Sequence, residues 1–303
     1  MEPPFASSCA AGELQARRTR VISLHALERS KTTIEDFCSS YLPLHGVDVR
    51  DGVFRFLDVI VFVSASLYEL DELNEQSCSA SAAELPGTAE AAEVTASARV
   101  EAGLAVLREA LSGRGLLDAR VLAELASGEA YWSGERRLCG QLARGEPLDE
   151  ATVWTTHASK SFDYRVLHCC LIQLLHLGYD ERLLAFLRVD ERLVDIGDDL
   201  TDYEDDVVAN SFNIYRCLLA LERGRAQSGT EAAASSRLFQ LISSLETEHA
   251  RLLAQLGEEQ RRLFWERHAA ATSCERSGKW VVPPAVTSEA EFRRQFGTST
   301  DHI

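Results

Sequence analysis

The sequence predicts an all-α fold. Leu, Ala, Glu and Arg dominate long segments in which apolar residues recur with helical spacing, and the alternating β-branched runs typical of strands are nearly absent. Hydrophobic residues make up 46% of the 303 residues, which is enough to bury a substantial core. We therefore expect a single domain of about ten helices with no sheet beyond incidental pairs.

The ends and the loops are predicted from composition. Residues 1–20 are predicted to be a mobile tail, and the helical domain to span residues 21–303. Two polar segments, 77–98 and 225–236, are rich in Ala, Ser and Glu, and both are predicted to be flexible loops. The first would lie beside the end of the apolar helix that precedes it.

The other elements follow from periodicity. Asp180 is the expected N-cap of a helix that runs into an acidic segment. Aromatic residues on the middle helices have spacing that suits either a filled core or the lining of an apolar cavity: Trp132, Trp154, Phe162 and Tyr164. Helical periodicity is predicted over 24–42, 54–73, 100–111, 118–128, 130–144, 155–178 and 237–266.

The strongest chemical signal is the acidic segment 189–216. Asp198, Asp202 and Asp206 are spaced four residues apart and therefore share one face of the predicted helix. Like charges at this spacing destabilise a helix, unless hard cations lie between the oxygens. The alternative is a solvated helix face, which is the usual reason for a run of charges.

A second acidic cluster lies upstream. The apolar segment 54–73 ends in Asp-Glu-Leu-Asn-Glu, in which Asp71 and Glu75 share one helix face. Carboxylates at the ends of two apolar helices can face each other across a cavity, as they do in metal sites of helical bundles. The two clusters together indicate a Mg²⁺ site, because this ion binds a few carboxylates and substrate phosphates.

These two motifs make the chain resemble the class I terpene synthases of the isoprenoid synthase superfamily. That family has an aspartate-rich motif near the end of one helix and a second metal motif on a later helix. The resemblance covers roughly residues 24–296 and implies the family's single-domain helical bundle. It assigns the metal ligands as Asp71, Glu75, Asp198, Asp202 and Asp206.

The sequence departs from the family's pattern. Asp202 replaces the usual Ser or Thr ligand, and Asp206 replaces the final Glu. No Arg lies at the usual distance upstream for sensing the diphosphate, and the nearest basic residues, Lys160 and Arg165, are assigned to catalysis and substrate binding. Near the C-terminus, Arg293 and Arg294 are the residues comparable to the family's diphosphate contacts.

The resemblance implies a lyase. About three Mg²⁺ ions, with Mn²⁺ as an alternative, would hold geranyl, farnesyl or geranylgeranyl diphosphate while its C–O bond ionises to an allylic carbocation. An apolar cavity would then direct cyclisation or quenching. Two alternatives remain open: a prenyltransferase that joins the cation to another acceptor, and a catalytically inert helical relative.

Composition also bears on the type of partner, the cellular compartment and the presence of membrane spans. The net charge of −16 argues against a nucleic-acid partner, which would require clustered Lys and Arg. Eight scattered cysteines favour a reducing compartment, and no apolar run is long enough to predict a membrane span. We expect a cytoplasmic monomer or homodimer, or a plastid protein if the N-terminus is a transit peptide.

Overall fold

The computed structural model describes residues 22–83, 88–225, 229–271 and 280–296. These ranges contain helices and no strands, so the all-α prediction is confirmed for the described part of the chain. The twelve helices are α1 (Leu24–Leu44), α2 (Val49–Ala83), α3 (Thr88–Gly113), α4 (Ala119–Arg144), α5 (Glu150–Ser159), α6 (Phe162–Leu174), α7 (Glu181–Thr201), α8 (Tyr203–Ala209), α9 (Ile214–Arg225), α10 (Thr230–Leu253), α11 (Glu258–Ala271) and α12 (Glu289–Phe296).

Side-chain caps explain where four of the helices begin. Each of α1, α4, α5 and α7 starts at a Ser or Asp whose side-chain oxygen accepts a hydrogen bond from a backbone N–H of the first turn, which satisfies a donor that has no partner within the helix. Asp180 is the predicted N-cap of α7, and this prediction is confirmed. The four caps are Ser23, Asp118, Asp149 and Asp180.

The two predicted loops are largely helical. Within 77–98, α2 continues to Ala83 and α3 begins at Thr88, while residues 84–87 lie outside the described ranges. Within 225–236, α9 ends at Arg225 and α10 begins at Thr230. The loop prediction was wrong for the described residues because it gave weight to low complexity, whereas Ala and Glu have high helix propensity.

Helix α2 lies at the centre of the packing and contacts α1, α3, α4 and α6. Helix α4 also packs against α5 and α6, while α7 packs against α10. The approach of α6 to α4 requires a residue without a side chain, because a Cβ at Gly128 would overlap the ring of Phe162. This close packing places the start of α6 beside Asp71, in the C-terminal half of α2.

The apolar faces of these helices meet in one core. Trp132, Phe37 and Tyr215 are fully buried there, and the cluster of buried residues extends from α1 to α11. No helix in the described ranges is both long enough and apolar enough to cross a membrane.

Candidate active site

One cavity, with a volume of about 270 Å³, brings residues from both acidic motifs together. Asp71 of α2 and Asp198 of α7 both line it, although they lie in distant parts of the sequence. Tyrosine and phenylalanine rings form much of the remaining wall. The full lining is Thr33, Leu67, Tyr68, Asp71, Tyr131, Lys160, Ser161, Phe162, Asp163, Tyr164 and Asp198.

The junction between α5 and α6 forms one side of this cavity. Ser161 has φ 55°, in the left-handed region that residues with a side chain seldom adopt. Its hydroxyl donates a hydrogen bond of 2.7 Å to Oδ1 of Asp195 on α7, which holds the turn in place. The helix break places Lys160 and Asp163 on the cavity wall, and strained backbone of this kind is concentrated at functional sites.

The first acidic cluster is Asp71 and Glu75. Asp71 accepts a hydrogen bond of 2.9 Å from the indole N–H of Trp132, and Arg29 lies 3.7 Å from its other oxygen. Both oxygens of Glu75 accept hydrogen bonds from Arg29, at 2.8 and 2.9 Å. Burial, together with the charges of Glu75 and Glu135, holds the pKa of Asp71 well above its usual range.

The second acidic cluster comprises Asp195, Asp198, Asp199, Asp202 and Asp206. Its most buried member is Asp199, whose Oδ1 accepts a hydrogen bond of 2.5 Å from Lys160 and whose Oδ2 accepts one of 2.7 Å from the backbone N–H of Ile214. Burial opposes the charge on Lys160, but Asp199, Asp195 and Asp206 raise its pKa above the ordinary value. The amine is therefore positively charged at neutral pH.

The predicted continuous stack of Asp198, Asp202 and Asp206 is interrupted. Helix α7 ends at Thr201, Asp202 has φ −96° and ψ 11°, and α8 begins at Tyr203. Asp202 is exposed, whereas Asp206 accepts a hydrogen bond of 2.9 Å from the side-chain amide of Asn213. Burial raises the pKa of Asp206 to about 7. The three carboxylates thus have three different environments, and only Asp198 lines the cavity.

The two basic residues predicted upstream of the second motif, Lys160 and Arg165, lie in different environments. Lys160 lines the cavity, whereas Arg165 is buried behind it and donates hydrogen bonds to Glu124 and Glu191 at 2.8 and 3.0 Å. Arg165 also donates to the backbone carbonyls of Ser159 and Lys160, so it holds the junction between α5 and α6 from the protein interior.

The two C-terminal arginines lie on α12, which packs against α8. Arg293 donates a hydrogen bond of 3.1 Å to the carbonyl of Val207, and Arg294 donates one of 3.3 Å to the carbonyl of Ala290 in its own helix. Neither is among the residues that line the cavity in the described part of the chain. Their assigned contact with a diphosphate stays a prediction.

Sequence reasoning missed several residues of the site. Asp163 and Tyr68 line the cavity, and Asp199 holds Lys160. The signal for Asp163 was its position beside the basic pair, and the signal for Tyr68 was its position one turn before Asp71. Arg29 carried no signal, because its role depends on the packing of α1 against α2.

Two of the four aromatic residues that were singled out from the sequence line the cavity, and the other two do not. Phe162 and Tyr164 line the cavity, which the sequence had offered as one of two readings. Trp132 instead donates to Asp71 from the core, and Trp154 donates a hydrogen bond of 3.1 Å to Glu150 on the same helix.

The donor atoms at the cavity suit a hard divalent cation. Asp71, Asp163 and Asp198 offer carboxylate oxygens, which are the ligands that Mg²⁺ prefers, and burial raises the pKa of each. In the described ranges no three Asp, Glu, His or Cys side chains already stand in an arrangement that would hold a metal ion. Arg29 and Lys160 now neutralise carboxylates that a metal would otherwise share.

Comparison with known proteins gives no match. No family model matches the chain, and neither the curated proteins nor the solved structures contain a match to it.

Proposed function

We propose that the protein is a Mg²⁺-dependent class I terpene synthase that ionises a prenyl diphosphate. The observation that supports this proposal is the meeting of Asp71 and Asp198 with Lys160 on a single cavity. Carboxylates from two acidic motifs on different helices, one lysine and aromatic side chains in a single wall are the groups that such a reaction requires.

The charged residues of the cavity wall would bind the diphosphate and its metal ions. Lys160 contributes a positive charge toward its oxygens, while Asp71 and Asp198 provide oxygen ligands for the metal. Bound Mg²⁺ would supply Lewis-acid stabilisation of the negative charge that develops on the leaving group. The C–O bond breaks heterolytically, and its electron pair leaves with the diphosphate.

The aromatic residues of the cavity wall would contact the hydrocarbon chain. Tyr131, Phe162 and Tyr164 present ring faces or edges to the space in which an allylic cation would form, and a ring face stabilises a nearby cation. The bound hydrocarbon chain would exclude most of the water, which favours proton loss or cyclisation of the cation over its capture by water. Among the three carboxylates of the wall, Asp163 belongs to neither acidic motif, so it is the one assigned to accept the released proton.

The direct test is turnover. The purified full chain would be incubated with geranyl, farnesyl or geranylgeranyl diphosphate, with and without Mg²⁺, and diphosphate release would be measured together with the organic products. Hydrocarbon or alcohol products support the synthase, whereas a product formed only with an added acceptor supports the prenyltransferase. Absence of Mg²⁺-dependent diphosphate release from every substrate would overturn the proposal and favour the inert relative.

A second candidate is the metal-free binding of an organic ammonium ion. The cavity lining has three carboxylates and one lysine, and its tyrosine rings suit cation–π contacts with an alkylammonium group. Thermal shift measurements separate the two candidates. Stabilisation by spermidine without metal favours the ammonium site, whereas stabilisation only by Mg²⁺ with inorganic diphosphate favours the synthase.

A further inference from the structure

Arg29 occupies the first acidic cluster. It lies in α1, and its guanidinium forms a bidentate contact with Glu75 of α2, with hydrogen bonds of 2.8 and 2.9 Å. One of the same nitrogens lies 3.7 Å from Asp71. A planar guanidinium and a carboxylate fit each other in this paired geometry, which makes the contact directional as well as electrostatic.

This contact engages the oxygens that a metal would need. Both oxygens of Glu75 accept hydrogen bonds from Arg29, and the two oxygens of Asp71 face Trp132 and Arg29 respectively. A divalent cation bound at this cluster would lie close to the guanidinium and repel it. The metal and Arg29 therefore compete for the same carboxylates.

Arg29 is partly exposed and already lies beside the cavity. Its side chain is 28% exposed, so breaking the contact does not strand a charge in the core. Its guanidinium carbon lies 5.5 Å from the centre of the Tyr68 ring, and Tyr68 lines the cavity. Helix α1 itself is fixed to α2 by two hydrogen bonds from Ser23 to Glu69, so the movement requires only the side chain.

We propose that Arg29 is a built-in counter-cation of the first acidic cluster. A divalent cation displaces it from Asp71 and Glu75, and the released guanidinium then binds the anionic group of the substrate. The second step rests on the proposed function, since it requires a diphosphate in the cavity. By linkage, each of the two ligands then favours binding of the other, and the substrate-free site binds metal weakly.

The test measures metal binding rather than activity. Mn²⁺ would be titrated into the substrate-free full chain and its binding followed by electron paramagnetic resonance, for the wild type, Arg29→Gln and Arg29→Lys. The matched control is Arg108→Gln, because Arg108 is 29% exposed and makes a single 2.8 Å ion pair with Glu129 between α3 and α4. Circular dichroism checks that every variant is folded.

We expect Arg29→Gln to bind Mn²⁺ about 2- to 5-fold more tightly than the wild type, which is the scale of one partly exposed ion pair. Arg29→Lys keeps the charge but loses the fork, so it should fall between the two. With inorganic diphosphate added, Arg29→Gln should lose part of the mutual enhancement of metal and diphosphate binding. Arg108→Gln should match the wild type in both measurements.

The outcomes separate the inference from the function on which it rests. Equal Mn²⁺ affinity of the wild type and both Arg29 variants overturns the inference and leaves the proposed function standing. Weaker Mn²⁺ binding by folded Arg29→Gln also overturns it, because Arg29 would then build the metal site. If no chain binds Mn²⁺, with or without diphosphate, both proposals fall.

Discussion

The two acidic clusters are neutralised in different ways. Asp71 and Glu75 are neutralised by Arg29, which comes from a neighbouring helix and is partly exposed. Lys160 is also partly exposed, but Asp199, with which it pairs, is only 1% exposed, against 29% and 36% for Asp71 and Glu75, and the backbone N–H of Ile214 donates to its other oxygen. The carboxylates of the first cluster are therefore open to solvent, whereas Asp199 is enclosed by the fold. We therefore assign the proposed displacement by a metal ion to the first cluster.

The rigidity of the second cluster comes from the connection between α8 and α9. Asn213 donates hydrogen bonds to the carbonyl of Asp199 and to the carboxylate of Asp206, at 2.5 and 2.9 Å. Arg216 is fully buried nearby and binds Glu289 of α12 through two hydrogen bonds of 2.9 and 2.7 Å. Helices α7, α8, α9 and α12 thus hold one another through polar groups that are largely buried.

The largest expected effect follows from removing one carboxylate from each side of the cavity. Asp71→Asn and Asp198→Asn should each lower turnover by at least about 10³-fold, because charge stabilisation by metal is worth several kcal/mol. Asn keeps an acceptor for the N–H of Trp132, and removing one of several crowded charges leaves the free energy of unfolding equal or slightly higher. Diphosphate release and urea unfolding measure the two effects.

The matched control for these two variants is Glu204→Gln, which changes an exposed carboxylate on α8. It should retain wild-type turnover. Wild-type activity in Asp71→Asn would show that the first cluster is not part of the catalytic site, and the comparison between two functional clusters would then fail.

The next effect tests how far the interior supports the second cluster. Arg165→Ala should cost about 3–5 kcal/mol of stability, because it removes the buried cation that pairs with both Glu124 and Glu191 and frees the carbonyl of Lys160. The matched variant is Arg188→Ala. Arg188 also pairs with Glu124 but is 52% exposed, so its loss should cost less than about 1 kcal/mol.

Denaturant unfolding of both variants decides the role of Arg165. If Arg165→Ala is as stable as Arg188→Ala and instead weakens diphosphate binding, the sensor role assigned from sequence is correct and Arg165 reaches the ligand.

The fold was more predictable than the site, for physical reasons. Helical periodicity and the N-cap at Asp180 are local, so the sequence alone predicted them. The pairing of Asp71 with Asp198 across one cavity was inferred from two local patterns and a resemblance. The partners of the carboxylates could not be predicted, because Arg29 and Asn213 reach them only through tertiary packing. Helix α2 extends through a predicted loop because propensity outweighed low complexity.

A smaller effect concerns the protonation of the Asp195 carboxyl group. Burial raises its pKa to about 7, and one oxygen has no hydrogen-bond partner among the described residues. The unfolded chain loses this proton near pH 4. The folded chain holds it up to about pH 7, so stability falls as pH rises from about 4 to 7 and is level above that.

Asp195→Asn imitates the protonated form and removes this dependence. We expect the variant to match the wild type within about 1 kcal/mol at pH 5 and to exceed it by about 1–3 kcal/mol at pH 8.5, by urea unfolding. The contribution of Asp206 is common to both chains and cancels. A variant that is less stable than the wild type at pH 8.5 would show that Asp195 is ionised beside Lys160, and that the second cluster is held by charge.

The smallest expected effect tests whether α12 stabilises only the second acidic cluster and not the first. Arg293→Ala removes the hydrogen bond to the carbonyl of Val207 and the contact with Glu289 at 3.2 Å, so it should cost about 1 kcal/mol and speed amide exchange in α8. Arg294→Ala removes an exposed contact within α12 and should stay within about 0.5 kcal/mol of the wild type. Exchange around Asp71 and Glu75 in α2 should not change in either variant, because Arg29 contacts these two residues from α1. Faster exchange at both clusters in Arg293→Ala would mean that they are coupled, whereas a change confined to diphosphate binding would place Arg293 on the substrate.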